Sequence, residues 1–284
     1  MTFKNVLRIA AMCIFLGRAW QFIRWDAPFR TLLWDEKLMS GLVEKIGFES
    51  WTAYVTSSHV NDLIQTVITW NGYYFVLCAI AVMFYKYSLR GLKYIIYFGV
   101  FLLAILFMLE TKERFYEMGM FFEHSVQLMT PLFFIWAVNE TVHRNRLLFI
   151  MKCTMALCFT CHALYALGFP YFRPGIFVDM TINTFHISEK GAIHFLNTMG
   201  VLDIIASIAL FFRKTEKIAL YYMIAWGFIS ALDRTYAFYY PQLPINEFLG
   251  QYLHTTIYRL GHGLVPLAMY FLIKDRDKGR KIVW

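Results

Sequence analysis

Charge is what this sequence has least of. Asp, Glu, Lys and Arg make up 16% of its 284 residues, against about 25% in a soluble globular chain. That is too few to coat a soluble surface. Glycine (16) and proline (7) are too sparse for a collagen-like or low-complexity chain. Cysteine is scarce as well, and the five present all fall inside apolar runs, so a disulfide framework is excluded. What the chain has instead is 59% hydrophobic and 19% aromatic residues, which excludes disorder. The composition is that of a multi-span helical membrane protein.

The basic excess of +8 does not point to nucleic acid. Lys and Arg sit in short clusters between apolar runs, as in membrane proteins that orient by charge. About 20 mainly apolar residues are needed to cross the hydrocarbon core as a helix. Eight stretches qualify: 5–23, 62–85, 92–110, 121–138, 147–169, 193–212, 217–239 and 252–273. Loops on one side, with residues such as Lys4, Lys86, Arg144, Arg213 and Lys274 and a basic tail through Lys278, Arg280 and Lys281, carry twice the Lys and Arg of the other side. The positive-inside rule then puts both termini in the cytoplasm of a bacterial-type inner membrane. Lys4 and Arg8 precede an apolar stretch as in a signal peptide, but Arg18 interrupts it and no small-x-small cleavage site follows, which predicts an uncleaved first helix. Residues 25–61 are too polar to span, and their Trp, Phe and Leu predict short amphipathic helices along the outer interface.

The two halves look alike. Gly17-Arg18-Ala19-Trp20-Gln21 resembles Cys161-His162-Ala163-Leu164-Tyr165. Each is followed by a matching outer segment, one running from Pro28 through Arg30 to Asp35, the other from Tyr171 through Arg173 to Asp179. Leu109-Glu110-Thr111 matches Leu232-Asp233-Arg234, and Thr130-Pro131-Leu132 matches Val265-Pro266-Leu267. The reading is an all-α fold of two parallel four-helix repeats, residues 1–145 and 146–284, with outer segments 25–61 and 170–192. On this pattern the chain resembles the DoxX-like membrane proteins, here doubled, and more distantly the membrane domain of vitamin-K-dependent carboxylase-like proteins. The resemblance implies a quinone-linked or redox-associated membrane protein. It carries no diagnostic catalytic signature with it.

Ionisable groups cost roughly 2.5–3.5 kcal/mol each at the centre of a membrane helix, so those present need a reason. Arg18, Glu110, Glu123, His124, His162, Asp203, Asp233, Arg234, Arg259 and His262 all fall in the outer halves of the spans. This predicts a polar cavity open to the periplasm, lined by both repeats, with carboxylates paired to arginines. Interhelical salt bridges and caps without chemistry are the other reading. Glu123, His124, His162 and His262 are the candidate catalytic groups, and Arg18, Asp203, Arg234 and Arg259 the candidate cofactor-binding groups. Glu123 and His124 with Gln127, His162 and Asp203 suit a metal site or an acid–base site. Adjacent helical positions diverge by about 100°, however, which argues against one ion shared by Glu123 and His124, and no metal ligand set is assigned. Arg259 and His262 share a face that suits an anion grip or a salt bridge to Asp203 or Asp233.

Cys158-Phe159-Thr160-Cys161-His162 has the spacing of covalent haem attachment and equally that of a redox dithiol. A bis-histidine haem among His124, His162, His194, His254 and His262 is a further option. Quinone is the cofactor the resemblance implies, with haem behind it. The lipid bilayer is one partner, other membrane or periplasmic subunits a second, and nucleic acid none. Two further classes stand beside the redox reading. One is a non-catalytic subunit that assembles a larger complex, docking through Trp20, Trp25, Trp34 and Trp51. The other is a membrane enzyme acting on a lipid head group, with the arginines as anion grips.

Overall fold

A computed structural model describes residues 2–279. The last basic residues of the tail, Arg280 and Lys281, lie outside the described residues. Among those described there are helices and turns and no strand. In chain order the helices are α1 (Phe3–Arg24), α2 (Arg30–Leu33), α3 (Glu36–Lys45), α4 (Trp51–Val55), α5 (Ser58–Phe84), α6 (Leu92–Glu113) and α7 (Met118–Glu123). They continue with α8 (Ser125–Asn139), α9 (Arg144–Leu167), α10 (Gly175–Phe185), α11 (Glu189–Ala209), α12 (Glu216–Tyr236), α13 (Ile245–Arg259) and α14 (Gly261–Asp277).

Local sequence sets many of the ends. Thr2, Asp35, Ser50, Ser57 and Ser188 accept a backbone N–H three residues on and cap α1, α3, α4, α5 and α11. Gly168, at φ 76°, closes α9 by donating its N–H to the Leu164 and Tyr165 carbonyls.

The long helices form an inner and an outer set. α1 packs on α5, α8, α13 and α14; α9 packs on α7, α8, α11 and α14. These four inner elements, α1, α8, α9 and α14, hold the core around Ile14, Phe15, Phe133, Phe134, Met155, Val265 and Met269. Outside them, α6 leans on α5, α7 and α8, and α12 on α11, α13 and α14. The short helices α2–α4 and α10 cover one end, here called the capped end. The opposite, basic end gathers Lys4, Arg144, Arg213 and Arg276.

Five helices, α1, α5, α6, α9 and α11, are long and apolar enough to cross a membrane. The outer surfaces of α5, α6 and α11 expose Leu63, Trp70, Leu77, Phe98, Phe101, Ile205 and Ile208. A soluble monomer does not leave apolar surface of that extent in water.

Two stretches read from the sequence as uninterrupted spans are broken. Residues 121–138 divide between α7 and α8 at His124, and 252–273 between α13 and α14 at Leu260. At the first break His124 Nδ1 lies 2.8 Å from the Met120 carbonyl, and the Cys158 thiol donates to the Glu123 carbonyl at 3.0 Å. At the second, His262 Nδ1 lies 2.8 Å from the Arg259 carbonyl. Carbonyls released at the break thus find side-chain partners, which lets a helix interrupt inside a protein core. Pro131 and Pro266 lie one to two turns further on. Each lacks the N–H that would bond the carbonyl four residues back.

Candidate functional site

The polar residues of the capped half gather around the two breaks. Glu123 ends α7 and is 4% exposed. Its Oε1 accepts both Arg259 Nη1 and Nη2, at 3.2 and 3.1 Å, and lies 3.1 Å from His162 Nδ1. The His162 and His262 rings stand 6.1 Å apart. Glu123, His162, Arg259 and His262 therefore form one cluster, drawn from α7, α9, α13 and α14. The carboxylate and guanidinium neutralise each other, which makes burial of both tolerable.

His124, next in the chain, turns the other way. Its Nε2 lies 3.2 Å from Glu110 Oε2, and its ring stacks on Phe107 at 4.6 Å. Arg18 completes this second cluster. Its Nη1 donates to Glu110 Oε1 at 3.0 Å and to Gln21 Oε1 at 2.8 Å, and its Nε donates to Gln127 Oε1 at 3.0 Å. The guanidinium is 1% exposed and lies 4.1 Å from the Tyr258 ring centroid and 5.2 Å from that of Phe107. Cation–π contact is strongest where a cation has lost its water, as here.

An open pocket lies between α9, α10, α11 and α12. Phe177, Met180, Phe185, Phe195, Met199 and Trp226 make most of its wall, and His162, Asp203, Asp233 and Arg234 supply the ionisable groups. Asp203 is 2% exposed and accepts the Tyr222 hydroxyl at 2.7 Å. Asp233 accepts the Thr184 hydroxyl at 2.5 Å. The Arg234 guanidinium lies over the Phe177 ring at 5.2 Å, and its side-chain nitrogens have no hydrogen-bond partner among the described residues. An apolar chamber with a few convergent polar groups is the usual form of a small-molecule site.

Of the eight residues singled out from the sequence, three reach this pocket: His162, Asp203 and Arg234. Glu123, Arg259 and His262 stand behind His162, while Arg18 and His124 belong to the separate cluster on α1, α6 and α8. The expected cavity is lined by both halves; this pocket is formed by α9–α12. On the other side of the bundle the buried Arg18, with the Phe107 and Tyr258 rings beside its guanidinium, occupies the interior itself.

The expected arginine partners are corrected too. Arg259 pairs with Glu123, neither with Asp203 nor with Asp233, because the α13–α14 break aims it at the end of α7. Asp203 turns to Tyr222 across the α11–α12 contact. Cys158 and Cys161 are free and buried, and the Cys158 thiol is engaged with the Glu123 carbonyl. Among the described residues no group of three His, Cys, Asp or Glu side chains is placed to hold a metal.

Sequence reasoning passed over Tyr222, Trp226, Tyr258 and Phe177. A signal was there for the first three: a Tyr or Trp in an apolar span carries a polar atom that needs a partner. The position of Phe177 in an outer segment gave none.

Fold and pocket together define an all-helical protein with several membrane-length apolar helices and an aromatic pocket beside a buried ion pair. The chain matches no known family model, no curated protein and no solved structure.

Proposed function

We propose that this chain is an eight-span membrane protein of two four-helix repeats, and that its α9–α12 pocket binds the head group of a quinone. Supporting eight spans, α12 exposes Ile218, Tyr221, Ile229 and Leu232 on its outer face as a lipid-contacting helix would. α8 and α14 are shielded by their neighbours, and this shielding permits the polar residues and breaks at their starts. Supporting the repeat, the packing partners correspond: α1 with α5 as α9 with α11, and α6 with α7–α8 as α12 with α13–α14. The paired arginines of the outer segments behave alike as well. Arg30 donates to Asn61 Oδ1 on α5 at 2.9 Å, and Arg173 donates to Asn197 Oδ1 on α11 at 2.6 Å. The positive-inside count supports a cytoplasmic basic end in an inner membrane, with the pocket toward the periplasmic side.

The observation that carries the ligand reading is Arg234, a guanidinium without an acceptor at the edge of an aromatic chamber. The pocket also holds two carboxylates, so a diphosphate head would meet net repulsion. A neutral head with carbonyl or hydroxyl oxygens suits one strong donor, one imidazole and aromatic walls. His162 presents Nδ1 to Glu123. With the carboxylate 3.1 Å from Nδ1, Nε2 would be the nitrogen offered to a ligand hydroxyl. Arg234 would donate to a carbonyl oxygen, and the aromatic walls would hold the ring and exclude water. Glu123, held by Arg259, stands directly behind His162.

Titrating the detergent-solubilised protein with a short-tailed ubiquinone analogue, with thermal stabilisation as readout, tests this. Wild type should be stabilised in a saturable way. Arg234→Gln should weaken binding about tenfold, since a hydrogen bond to a charged group is worth about 1.5–3 kcal/mol. Absence of stabilisation, or an unchanged Arg234→Gln titration, contradicts the reading. The assembly reading draws support from exposed Trp25 and Trp34 at the capped end, whereas Trp20 and Trp51 are half-buried. A subunit that co-purifies through that face would favour it.

A further inference from the structure

At the basic end a second, open concavity lies where α9 begins, α11 gives way to α12, and α14 ends. Lys152, Arg213 and Arg276 face it together with Glu216, and the aromatic rings of Phe149 and Phe211 flank it. Its floor is a built ion cluster. Glu216 is 1% exposed and accepts Lys152 Nζ at 2.7 Å through Oε2 and Arg276 through Oε1. Arg276 also bonds Asp277 at 3.0 Å, and Asp277 takes Lys217 at 2.6 Å. Three cations thus meet two carboxylates in the cluster, an excess of one positive charge, and Arg213 beside it adds a second. The excess is available to a ligand. Lys152 carries three N–H donors and spends one on Glu216, Arg276 Nη1 has no partner among the described residues, and neither has Arg213.

Beside these donors the surface is apolar. Phe149 is 59% exposed and Phe211 44% exposed, with ring centroids 6.3 Å apart. A free anion has no use for two exposed aromatic rings, and a zwitterionic lipid has none for the excess charge. We infer that this concavity binds an anionic phospholipid. Its phosphate is held by Arg213, with Arg276 and Lys152 behind, and its glycerol and acyl portion lies over Phe149 and Phe211. Basic recesses between membrane helices at the cytoplasmic face suit this ligand class, and guanidinium–phosphate bonds are charge-assisted and directional. The binding site is separate from the α9–α12 pocket and does not depend on what that pocket holds.

Native mass spectrometry of the full chain tests it, with dioleoyl phosphatidylglycerol, dioleoyl phosphatidylcholine or inorganic phosphate added at equal concentration. Wild type should retain phosphatidylglycerol about tenfold better than phosphatidylcholine. Arg213→Gln should lose about tenfold of that affinity, and Arg213→Lys should restore part of it. Arg213 is exposed and outside the ion cluster, so the variant folds. Lys86→Gln, which removes an exposed cation of the same end away from the concavity, should leave binding unchanged. Equal retention of the two lipids overturns the inference. So does an Arg213→Gln protein that binds as wild type, a Lys86→Gln protein that loses as much, or phosphate that displaces the phospholipid at equal concentration.

Discussion

Glu123 is the residue on which the buried network turns. It accepts two bonds from Arg259 and faces His162, so its loss would strand a guanidinium in the core. Glu123→Gln should destabilise the protein by about 3–5 kcal/mol, the cost of leaving one half of a buried pair uncompensated. Replacing both partners with apolar side chains, Glu123→Leu with Arg259→Met, should recover much of that stability while abolishing the orientation of His162. Thermal melts in detergent check both, and a Glu123→Gln protein as stable as wild type would contradict the network.

Asp35, outside the spans, offers a pH test. Its hydrogen bond from Lys112 at 2.5 Å holds the carboxyl below its ordinary range. A depressed folded value means that the contribution is complete above the unfolded value of about 3.9 and is lost as the pH falls through the folded one. The melting-temperature gap between wild type and Asp35→Asn should therefore narrow from neutral pH toward pH 3; a constant gap would refute the pairing. Individual residues were the most legible part of this site. A charge in an apolar run announces itself, and Glu123, His162 and Arg259 are brought together in the structure. Their partners were less legible, because the turn of one helix decides whether Arg259 meets Asp203 or Glu123.

Helix breaks and glycine contacts decide that turn. Pro131 and Pro266 are visible in the sequence, but the interruptions fall earlier, at His124 and Leu260, where imidazoles and the Cys158 thiol meet the freed carbonyls. Periodicity cannot report such a place, since only tertiary contacts supply the partners. α12 approaches the second break closely at Gly227, where an added Cβ would lie 2.4 Å from the His262 carbonyl oxygen. Gly227→Val should cost at least about 1–3 kcal/mol by overpacking and drive α12 from α14. Gly250, on α13, has open space at the same test, and Gly250→Ala should stabilise by about 0.4–1 kcal/mol. Equal melting temperatures for the two variants would count against the α12–α14 contact.

For the whole molecule, composition alone carried the helical class, and five helices meet the demands of a membrane span. Two of the other expected spans are broken for a physical reason. α8 and α14 lie inside the bundle, where polar groups find partners, so their sequences need not be as uniformly apolar as those of α5 or α6. The pocket was the least legible feature. Its chamber depends on α10 lying across α9, α11 and α12, and on the first half being filled by Arg18. Similar residue patterns in the two halves thus enclose a chamber on one side and a packed arginine on the other.

The occupant of that chamber is the central question, and extraction of lipids from protein purified in mild detergent addresses it most directly, by mass spectrometry alongside a UV–visible spectrum. Quinone co-purifying with wild type, and lost when Met199→Trp fills the chamber while the Glu123–Arg259 pair stays intact, is the result expected here. A protein free of quinone, or one that carries equal quinone with the chamber filled, would contradict the account.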